Sequence, residues 1–502
     1  MPALLLELDL IRRLRKDLVA TRFFVDDVNA LFGEVAANAL LRNERVPALL
    51  AARGGQGDLS VLARLFVLWD EVSAAEVARA LPTVGVDGLV RLGLVEEREE
   101  KVRGLVQLQP HEAVTSQAEF NWWIASDLGE GLTGTAPRRD HVLGIGGATR
   151  ALLQLTPRDR VDSVLDLGTG CGVLAMYATT HANRVVATDL SGRALDFARF
   201  NFALNELDIE AREGSLYNPV EGEQFDLIVS NPPFVITPDS LRGAGLVEYR
   251  DGGRKGDDLM KEVVTGAADH LKSDGRALLL GNWEISKQWD SHPRAWLEAA
   301  GLNGWVVQRE QLDPAQYVEM WMRDNGARLA MSPAEYEEAF ALWIADFERR
   351  GVQAVGLGMV ALERGPQTPS IVCEQVVTSQ SASGDYIGSV MSEIFRFEIT
   401  PETSEDAVFV RESDVREERH YEPGATDPQV IVATQGGGFG RRIQLNSWMA
   451  AALGACDGEL AIGQIISALH VLTDEDRDVI SKHVYSQLGL LVRAGMLKRV
   501  TA

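Results

Sequence analysis

The amino-acid sequence predicts an α/β protein with a doubly wound parallel sheet at its centre. Short apolar runs alternate with helical patterns between residues 162 and 310, and this alternation is typical of a parallel sheet covered by helices on both faces. The apolar run 164–167 leads into a turn with glycines at 168, 170 and 172. Ligands of open α/β folds bind at such turns. Helical spacing dominates both ends of the chain, so we expect helical domains on either side of the sheet.

Length and composition are those of a multidomain globular protein. The chain has 502 residues, 46% of them hydrophobic and 24% charged, which fits roughly two to four domains. A net charge of -24 argues against nonspecific nucleic-acid binding, which depends on phosphate neutralisation. No apolar run reaches the roughly 18 residues of a membrane span, and the N-terminus lacks a secretory signal pattern. We therefore expect no membrane contact and a cytoplasmic location.

The positions of the three cysteines indicate neither a disulfide nor a metal site. Cys171, Cys373 and Cys456 are far apart in the sequence and form no paired motif with one another or with histidine. Neither a disulfide framework nor a metal site is therefore expected.

Residues 1–120 are expected to form a helical domain with a winged-helix-like module. Apolar residues recur at helical spacing from residue 4 to about residue 50. Three short helices and a hairpin are predicted after them, at 59–68, 74–80, 86–92, 94–96 and 102–108. The third of these helices has one arginine and one aspartate, so packing or protein docking is favoured over DNA binding. Trp122 and Trp123 follow in a linker and are expected to pack at the domain seam.

The central domain is predicted to span residues 121–365. Its first six strands are expected near 162–167, 184–188, 209–213, 225–230, 276–282 and 304–310. The apolar pattern predicts two helices in residues 313–350 and a strand in residues 352–362. We interpret that strand as the seventh and last of the sheet, paired antiparallel, and the two helices as an insertion.

The C-terminal domain is predicted at residues 366–502, with a second winged-helix-like module at its end. Residues 402–422 are dense in acids and are expected to be exposed. Residues 435–442 contain four glycines but lack the Lys-Ser/Thr pair of a phosphate-binding loop. A flexible loop is the favoured interpretation of that segment.

The glycine turn predicts a nucleoside site. Glycine at positions 168, 170 and 172 permits a tight strand-to-helix turn with no Cβ in the way of a ligand. A dinucleotide fingerprint would need its third glycine at position 173, which is Val173, so an NAD oxidoreductase is disfavoured. Asp189 ends the next strand about twenty residues later, where a carboxylate can bind ribose hydroxyls. A helix-capping aspartate is the alternative role.

Asn231-Pro232-Pro233-Phe234 follows the strand-like run 225–230 and carries the most chemical information. Two successive prolines make a stiff turn without backbone donors. The Asn231 side-chain oxygen and the Pro232 carbonyl could accept both hydrogens of a planar NH2 group while its nitrogen faces an electrophile. Phe234 could cover that group by stacking. The alternative is an ordinary surface turn.

Together, the glycine turn, Asp189 and the Asn-Pro-Pro-Phe turn resemble a class I S-adenosylmethionine-dependent methyltransferase. The turn is similar to that of the amino-group branch, which includes release-factor glutamine, small-domain ribosomal RNA guanine and adenine methyltransferases. The resemblance covers roughly residues 136–312 and implies a Rossmann-like, seven-stranded methyltransferase core. Segment 140–149, followed by Arg150, is similar to the part that closes over the methionine end of the cofactor.

The resemblance implies two groups of site residues. The predicted catalytic residues are Asn231, Pro232, Pro233 and Phe234. The predicted residues of the S-adenosylmethionine site are Asp166, Gly168, Thr169, Gly170, Gly172, Asp189, Leu190, Gly214, Ser215, Leu216 and Asn231. Ser215 stands where many relatives have an aspartate for the adenine amine, so the adenine contact is left open.

The sequence thus predicts an N-methyltransferase whose acceptor is a planar NH2, with a protein glutamine or other amide favoured. An exocyclic amine of an RNA base is the alternative, and an inert methyltransferase-fold scaffold is an alternative of another class. The flanking domains are expected to bind the protein or RNA substrate, and the chain is expected to be a monomer. The charged, glycine-rich stretch 237–258 fits either a lid over the acceptor or a disordered connection.

Overall fold

A mostly parallel sheet lies at the centre of the computed structural model, which describes residues 4–114, 118–242, 251–324, 327, 331–365, 368–378, 380 and 382–500. Within those ranges the sheet has eight strands. In chain order they are β1 (Val161–Leu167), β2 (Ala182–Asp189), β3 (Glu210–Glu213), β4 (Phe225–Ser230), β5 (Leu271–Ile285), β6 (Asn303–Leu312), β7 (Ala354–Glu363) and β8 (Ile371–Gln375). The first seven confirm the strands predicted from the sequence.

The order of strands across the sheet is β8-β6-β7-β5-β4-β1-β2-β3. β7 runs antiparallel to β5 and β6, as predicted, and the other pairs are parallel. The prediction of seven strands was wrong, because β8 adds a further edge strand beside β6. β8 has five residues, and none of them is fully buried. Its place is set by pairing with β6 rather than by a strong apolar pattern of its own, which explains why its sequence gave no strand signal.

Both faces of the sheet are apolar and covered. Along β1, Val164 belongs to one buried cluster, whereas Leu165 and Leu167 belong to another on the opposite face. This is the pattern of a parallel strand buried on both sides. The helices that flank the sheet or lie between its strands are Gly147–Leu155, Val173–Ala178, Gly192–Leu204, Asp258–His270 and Ser291–Ala300, with short 3-10 turns at Asn218–Val220 and Asp239–Leu241.

Two helices between β6 and β7 form the predicted insertion. They span Pro314–Asp324 and Pro333–Arg350. Ser332 begins the second helix with a capping box, in which its hydroxyl accepts from the Glu335 backbone and the Glu335 carboxylate accepts from the Ser332 backbone. Gly351 ends that helix in the left-handed conformation.

Helices dominate the chain before the sheet. They span Leu8–Ala20, Val25–Phe32, Glu34–Leu40, Val46–Gly54, Asp58–Leu62 with a π-helical turn at Ala63–Val67, Ala74–Ala80, Gly85–Arg91 and Glu130–Thr133. The strands are Val72–Ser73, Lys101–Gly104 and Val95–Arg98 in one small sheet, and Gln107–Val114 with Glu119–Ser126 in a hairpin.

One face of the helix Gly85–Arg91 packs against the first helix, where Gly88 lies against Leu10. The buried Asp17 carboxylate accepts the backbone N–H groups of Thr83 and Val84, just before the helix, both at 2.9 Å. The other face is exposed, with Asp87, Val90 and Arg91. Packing of one face agrees with the expected packing role, and docking of a protein on the other face stays a prediction.

Trp122 and Trp123 join the N-terminal helices to the central sheet. Both are buried. The Trp123 indole N–H donates to the Phe23 carbonyl at 2.7 Å, and its backbone exchanges hydrogen bonds with the Asn205 side chain. Both tryptophans pack between the N-terminal helices and the central sheet, as expected, but they belong to the strand Glu119–Ser126 and not to a linker.

The C-terminal part contains two small sheets and several helices. One sheet is formed by Asp457–Ala461, Val408–Arg411 and Leu497–Arg499, and the other by Val415–His420, Val430–Gln435 and Arg442–Leu445. The helices are Gly384–Arg396, Pro401–Ser404, Ser447–Ala455, Ile462–Thr473 and Arg477–Arg493. Across the described ranges, no helix combines the length and apolar character that crossing a membrane requires.

The glycine-rich segment 435–442 packs against the central sheet instead of projecting as the flexible loop that was predicted. Its Phe439 is buried and lies edge-on to Trp305 of β6, with ring centroids 6.1 Å apart. Arg441 forms a two-pronged ion pair with Glu374 of β8 at 2.7 and 2.6 Å. Phe439 between the glycines and Arg441 after them were the signal that this segment is anchored.

Candidate active site

Three loops meet at the carboxyl edge of the sheet because the ends of their strands are in register. Leu167 of β1 pairs with Thr188 of β2 and with Ser230 of β4. The next residues along the chain are Gly168, Asp189 and Asn231. The sheet therefore brings together the three motifs that the sequence singled out.

The glycine turn after β1 needs its glycines for two different reasons. Gly168, Gly170 and Gly172 have φ values of 78°, 55° and 92°, a region that other residues rarely adopt. A Cβ at Gly168 or Gly170 would meet nothing within 4 Å, whereas one at Gly172 would lie 2.5 Å from the Phe202 ring. The first two glycines border open space, and the third allows the following helix to pack.

Asp166 lies beneath this turn and does not line the cavity. It is completely buried, and one carboxylate oxygen accepts from the Thr169 hydroxyl at 2.6 Å and from the Ala175 backbone at 2.9 Å. The other oxygen has no hydrogen-bond partner among the described residues. Burial raises the pKa of Asp166 to about 7. Its position is that of a support for the turn.

Asp189 faces the cavity from the end of β2. Its two carboxylate oxygens accept backbone N–H groups of Gly170 at 2.9 Å and Ser191 at 2.8 Å. Burial raises the pKa of Asp189, against the opposing effect of these donors. Asp189 thus fixes both the glycine turn and its own loop while remaining in the cavity wall.

The loop after β3 supplies a further side of the cavity. The Gly214 backbone N–H donates to the Asp189 carbonyl at 3.0 Å, and a Cβ at Gly214 would lie 2.5 Å from Pro219. Leu216 has a positive φ of 48°, which is unusual for a leucine. Ser215 and Leu216 line the cavity, whereas Gly214 supports the loop from behind.

Segment 140–144 closes the cavity on the side of the N-terminal helices, and an ion pair anchors it. Arg193 donates to both oxygens of Asp127 at 2.5 and 2.6 Å and to the Asp140 carbonyl at 2.8 Å. Asp127 also accepts the Val142 backbone N–H at 2.7 Å. Sequence reasoning missed Asp127 and Arg193, because 66 residues separate them and neither belongs to a recognisable motif.

The Asn231-Pro-Pro-Phe turn stands at the end of β4. The Asn231 side-chain oxygen is buried and has no hydrogen-bond partner among the described residues. Asn231 and Pro233 line the cavity, and Pro232 is buried. Phe234 does not line it; its ring lies edge-on to Trp321 at 6.2 Å, so the predicted stacking over the acceptor is not the arrangement in this structure.

Arg242 holds together the base of the stretch 237–258, for which the sequence left a lid and a disordered connection as alternatives. Arg242 donates to the Asp251 carboxylate at 3.0 Å and to the Thr237 carbonyl at 3.1 Å. Residues 243–250, the centre of that stretch, lie outside the described residues. Its returning end contributes Asp251, Gly252 and Arg254 to the cavity wall, and Leu259 follows them there.

These loops enclose a cavity of about 290 Å³, near the lower limit of roughly 300 Å³ for small-molecule sites. Of the predicted site residues, those in its wall are Gly168, Thr169, Gly170, Asp189, Leu190, Ser215, Leu216, Asn231 and Pro233. Those outside the wall are Asp166, Gly172, Gly214, Pro232 and Phe234. A more open groove of about 780 Å³ is bordered by Lys287, Trp289 and Arg294, and no predicted site residue lines it.

The cavity wall contains no activated thiol. Cys171 is buried, and burial raises the pKa of its thiol to about 11. Within the described ranges, no group of three or more His, Cys, Asp or Glu side chains is arranged to hold a metal ion. The wall offers carboxylate, amide and backbone groups instead, which suit binding and positioning.

Comparison with protein families identifies the domain that holds the cavity. Residues 144–246 match the family model described as "Methyltransferase small domain". This part of the chain is a class I methyltransferase domain. The match begins at the cavity segment 140–144 and extends through the Asn-Pro-Pro-Phe turn, which confirms the resemblance predicted from the motifs. Residues 20–105 match a model described as "Domain of unknown function (DUF7059)".

Curated relatives of this methyltransferase domain have two kinds of name. The "Release factor glutamine methyltransferase" of Koribacter versatilis is 32% identical over 32% of this chain and 58% of its own length. The "Ribosomal protein uL3 glutamine methyltransferase" of Bradyrhizobium diazoefficiens is 32% identical over 29% and 50%. The "Ribosomal RNA small subunit methyltransferase C" of Salmonella paratyphi A is 30% identical over 45% and 59%. The chain thus spans about half the length of the curated relatives it matches.

Among solved structures, a methyltransferase from Pyrococcus furiosus aligns with 47% of this chain and 92% of its own. Its sequence identity is 14% and its TM-score is 0.28. This likeness is too weak to carry an argument.

Proposed function

We propose that the protein is an S-adenosylmethionine-dependent N-methyltransferase whose acceptor is a planar NH2 group, with a protein glutamine or other amide favoured. The observation that carries the proposal is the Asn231 side-chain oxygen, which is buried beside the cavity without a partner among the described residues. A buried acceptor without a donor costs free energy on the order of 1–3 kcal/mol. An acceptor NH2 would supply the missing donor.

The cavity wall fits the cofactor in two respects. Gly168 and Gly170 border open space that side chains would occupy, and Asp189 presents a carboxylate at the usual place of a ribose ligand. When bound, S-adenosylmethionine supplies an electrophilic methyl group on a sulfonium sulfur. Thr169, Leu190, Ser215 and Leu216 would complete the walls around the nucleoside.

The acceptor turn would position and orient the NH2 group of the substrate. Asn231 and the Pro232 carbonyl would accept the two hydrogens of the NH2 group and keep its nitrogen directed at the methyl donor. The same two oxygens would stabilise the positive charge that develops on that nitrogen during transfer. The proton can leave to water afterwards, when the methylated nitrogen is acidic, so the turn needs no strong general base.

The net charge favours a protein acceptor over RNA. Relatives of both kinds are found, including glutamine methyltransferases, but the net charge of -24 opposes nonspecific attraction to nucleic acid. The exocyclic amine of an RNA base remains the second candidate, because a further relative is named as an rRNA methyltransferase. The inert scaffold is not favoured, because nine of the predicted site residues, Asn231 among them, line one cavity.

The terminal parts of the chain are proposed to recognise the substrate. Three short helices support a winged-helix-like module before the methyltransferase domain, together with the small sheet formed by Val72–Ser73, Lys101–Gly104 and Val95–Arg98. The helices Ile462–Thr473 and Arg477–Arg493 beside a three-stranded sheet support a second one. Domain limits at 1–120, 121–365 and 366–502, a monomeric state and a cytoplasmic location belong to the same proposal.

Methyl-labelled S-adenosylmethionine tests the proposed function directly. The chain is incubated with this cofactor and a bacterial lysate, and the product is divided for protease or nuclease treatment. We expect protease to release the label, and strong acid hydrolysis of the labelled protein to yield methylamine, the product of an N-methyl amide. Release by nuclease alone would favour the RNA alternative. If no label is incorporated and calorimetry detects no cofactor binding at millimolar concentration, the proposal is refuted.

A further inference from the structure

Outside the cavity, a buried hydroxyl group is hydrogen-bonded to the backbone of the segment that follows the acceptor turn. Tyr317 lies in the first insertion helix and is completely buried. Its hydroxyl oxygen accepts the backbone N–H of Ile236 at 2.9 Å. Ile236 comes two residues after Phe234 and five after Asn231, so this bond fixes the backbone that leaves the turn.

Asn282 holds the same hydroxyl from the sheet. It lies on β5, is completely buried, and its side-chain nitrogen donates to the Tyr317 hydroxyl at 2.6 Å. Asn282 thus ties the Tyr317 hydroxyl to β5.

Apolar packing joins the insertion to the same segment. Val235, Ile236 and Leu241 share one buried cluster with insertion side chains. The insertion members of this cluster include Tyr317, Val318, Met322, Trp343 and Phe347. The segment after the turn is thus part of the insertion's core rather than of the sheet's core.

On its other side the turn contacts the returning end of the 237–258 stretch. Phe234 and Asp251 form an antiparallel backbone bridge. A Cβ at Gly252 would lie 3.0 Å from the Pro233 carbonyl oxygen, so only a glycine allows this close approach without adjustment. The turn is therefore held on one side by the insertion and on the other by the segment around Asp251. Of these two, the insertion contributes a side-chain hydrogen bond, from the Ile236 N–H to the Tyr317 hydroxyl.

We infer that Tyr317 is a positioning residue for methyl transfer, which acts by fixing the Ile236 backbone and thereby the Asn231-Pro-Pro-Phe turn, while Asn282 orients its hydroxyl. The inference rests on the proposed function and gives the insertion a specific task in it. Tyr317 touches neither the cavity nor the acceptor. Its effect therefore belongs to the rate of transfer and not to cofactor affinity.

The test is Tyr317→Phe in the full chain, with Tyr386→Phe as a matched control. The Tyr386 hydroxyl likewise bonds to a backbone group, but in the C-terminal part, where it donates to the Ala494 carbonyl at 2.9 Å. Initial rates are measured with methyl-labelled S-adenosylmethionine and the lysate fraction that the unaltered chain labels. We expect Tyr317→Phe to lower kcat about tenfold or more, since small misplacements of reacting groups cost at least that much. The Kd for S-adenosylhomocysteine should not change, and Tyr386→Phe should retain full kcat.

Hydrogen exchange supplies a readout that does not depend on activity. In Tyr317→Phe the Ile236 amide loses its acceptor, so peptides covering residues 231–242 should exchange faster than in the unaltered chain, while peptides of the glycine turn should not. Asn282→Ala should act in the same direction. Because both changes remove one network, the double variant should have a kcat close to that of the more impaired single variant.

The outcomes separate the inference from the proposed function. If the unaltered chain transfers no label, the proposed function fails and the positioning role fails with it. If the unaltered chain is active and Tyr317→Phe has the same kcat, the positioning role alone is overturned. Equal losses in Tyr317→Phe and Tyr386→Phe would also overturn it, because they would indicate general destabilisation.

Discussion

The two halves of the cavity are built in different ways. In the cofactor half, the contacts that hold the glycine turn join residues at most 19 positions apart: Asp166 bonds to Thr169 and Ala175, and Asp189 bonds to Gly170. In the acceptor half, the turn depends on Tyr317, which is 81 residues away from Ile236. A local motif therefore specifies the glycine turn almost completely, whereas the wall at 140–144 also needs the distant Asp127–Arg193 pair. The second half needs the folded insertion before its geometry exists.

The largest expected effect is a loss of turnover in Asn231→Ala without a loss of cofactor binding. Replacing Asn231 by alanine removes one of the two proposed acceptors for the NH2 group, and turnover should fall about 100-fold or more, the usual cost of losing a preorganised group at a developing charge. The Kd for S-adenosylhomocysteine, measured by calorimetry, should stay the same because the glycine turn and Asp189 are untouched. Unchanged turnover in Asn231→Ala would mean that the turn does not hold the acceptor.

Gly172→Ala should disrupt the cofactor half by destabilising the fold. The new Cβ would lie 2.5 Å from the Phe202 ring at a φ of 92°. Left-handed strain and overpacking together should lower the free energy of unfolding by about 2–4 kcal/mol, measured by urea denaturation.

Gly454→Ala is the matched control for Gly172→Ala. Gly454 lies in the helix Ser447–Ala455, where an added Cβ meets nothing within 4 Å. This substitution should be neutral or slightly stabilising. If both variants lose the same stability, the close approach at Gly172 is not what fixes the turn.

The contrast between the halves also explains what could be predicted from the sequence. The seven main strands, the glycine turn, Asp189 and Asn231 were found because each is encoded by apolar periodicity or by a short motif. The Asp127–Arg193 pair and Tyr317 were missed because their partners are brought together only by the fold. β8 was missed for a related reason, since its pairing with β6 and the Arg441–Glu374 ion pair fix it. Asp166 and Gly172 were placed in the cofactor site by their motif, but the structure makes them supports of that site.

Asp189→Asn should weaken cofactor binding and leave the acceptor half unchanged. Loss of the carboxylate charge weakens hydrogen bonds to ribose hydroxyls, so the Kd for S-adenosylhomocysteine should rise about tenfold. At saturating cofactor, kcat should stay close to that of the unaltered chain. Asp196→Asn, on the outer side of the helix Gly192–Leu204, is a suitable control. A fall in kcat without a change in Kd would assign Asp189 to the acceptor half instead.

The last expected effect is a pH dependence of stability caused by Asp166. Burial raises the pKa of this carboxyl to about 7, above the unfolded value of about 3.9. The folded state therefore binds the proton more tightly, and the resulting stability is fully present below about pH 4 and is lost as pH rises towards about 7. The slope approaches about 1.4 kcal/mol per pH unit between these limits.

Asp166→Asn isolates that contribution. The asparagine oxygen can still accept from the Thr169 hydroxyl and the Ala175 backbone, but the side chain no longer titrates. The free energy of unfolding is measured by urea denaturation from pH 4 to pH 8 for both proteins. The unaltered chain should lose stability relative to Asp166→Asn as pH rises, since only the unaltered chain must bury a charge there. Parallel curves would indicate that Asp166 ionises in the folded state as easily as in water, and the local hydrogen bonds that hold the glycine turn would then have to compensate fully for its burial.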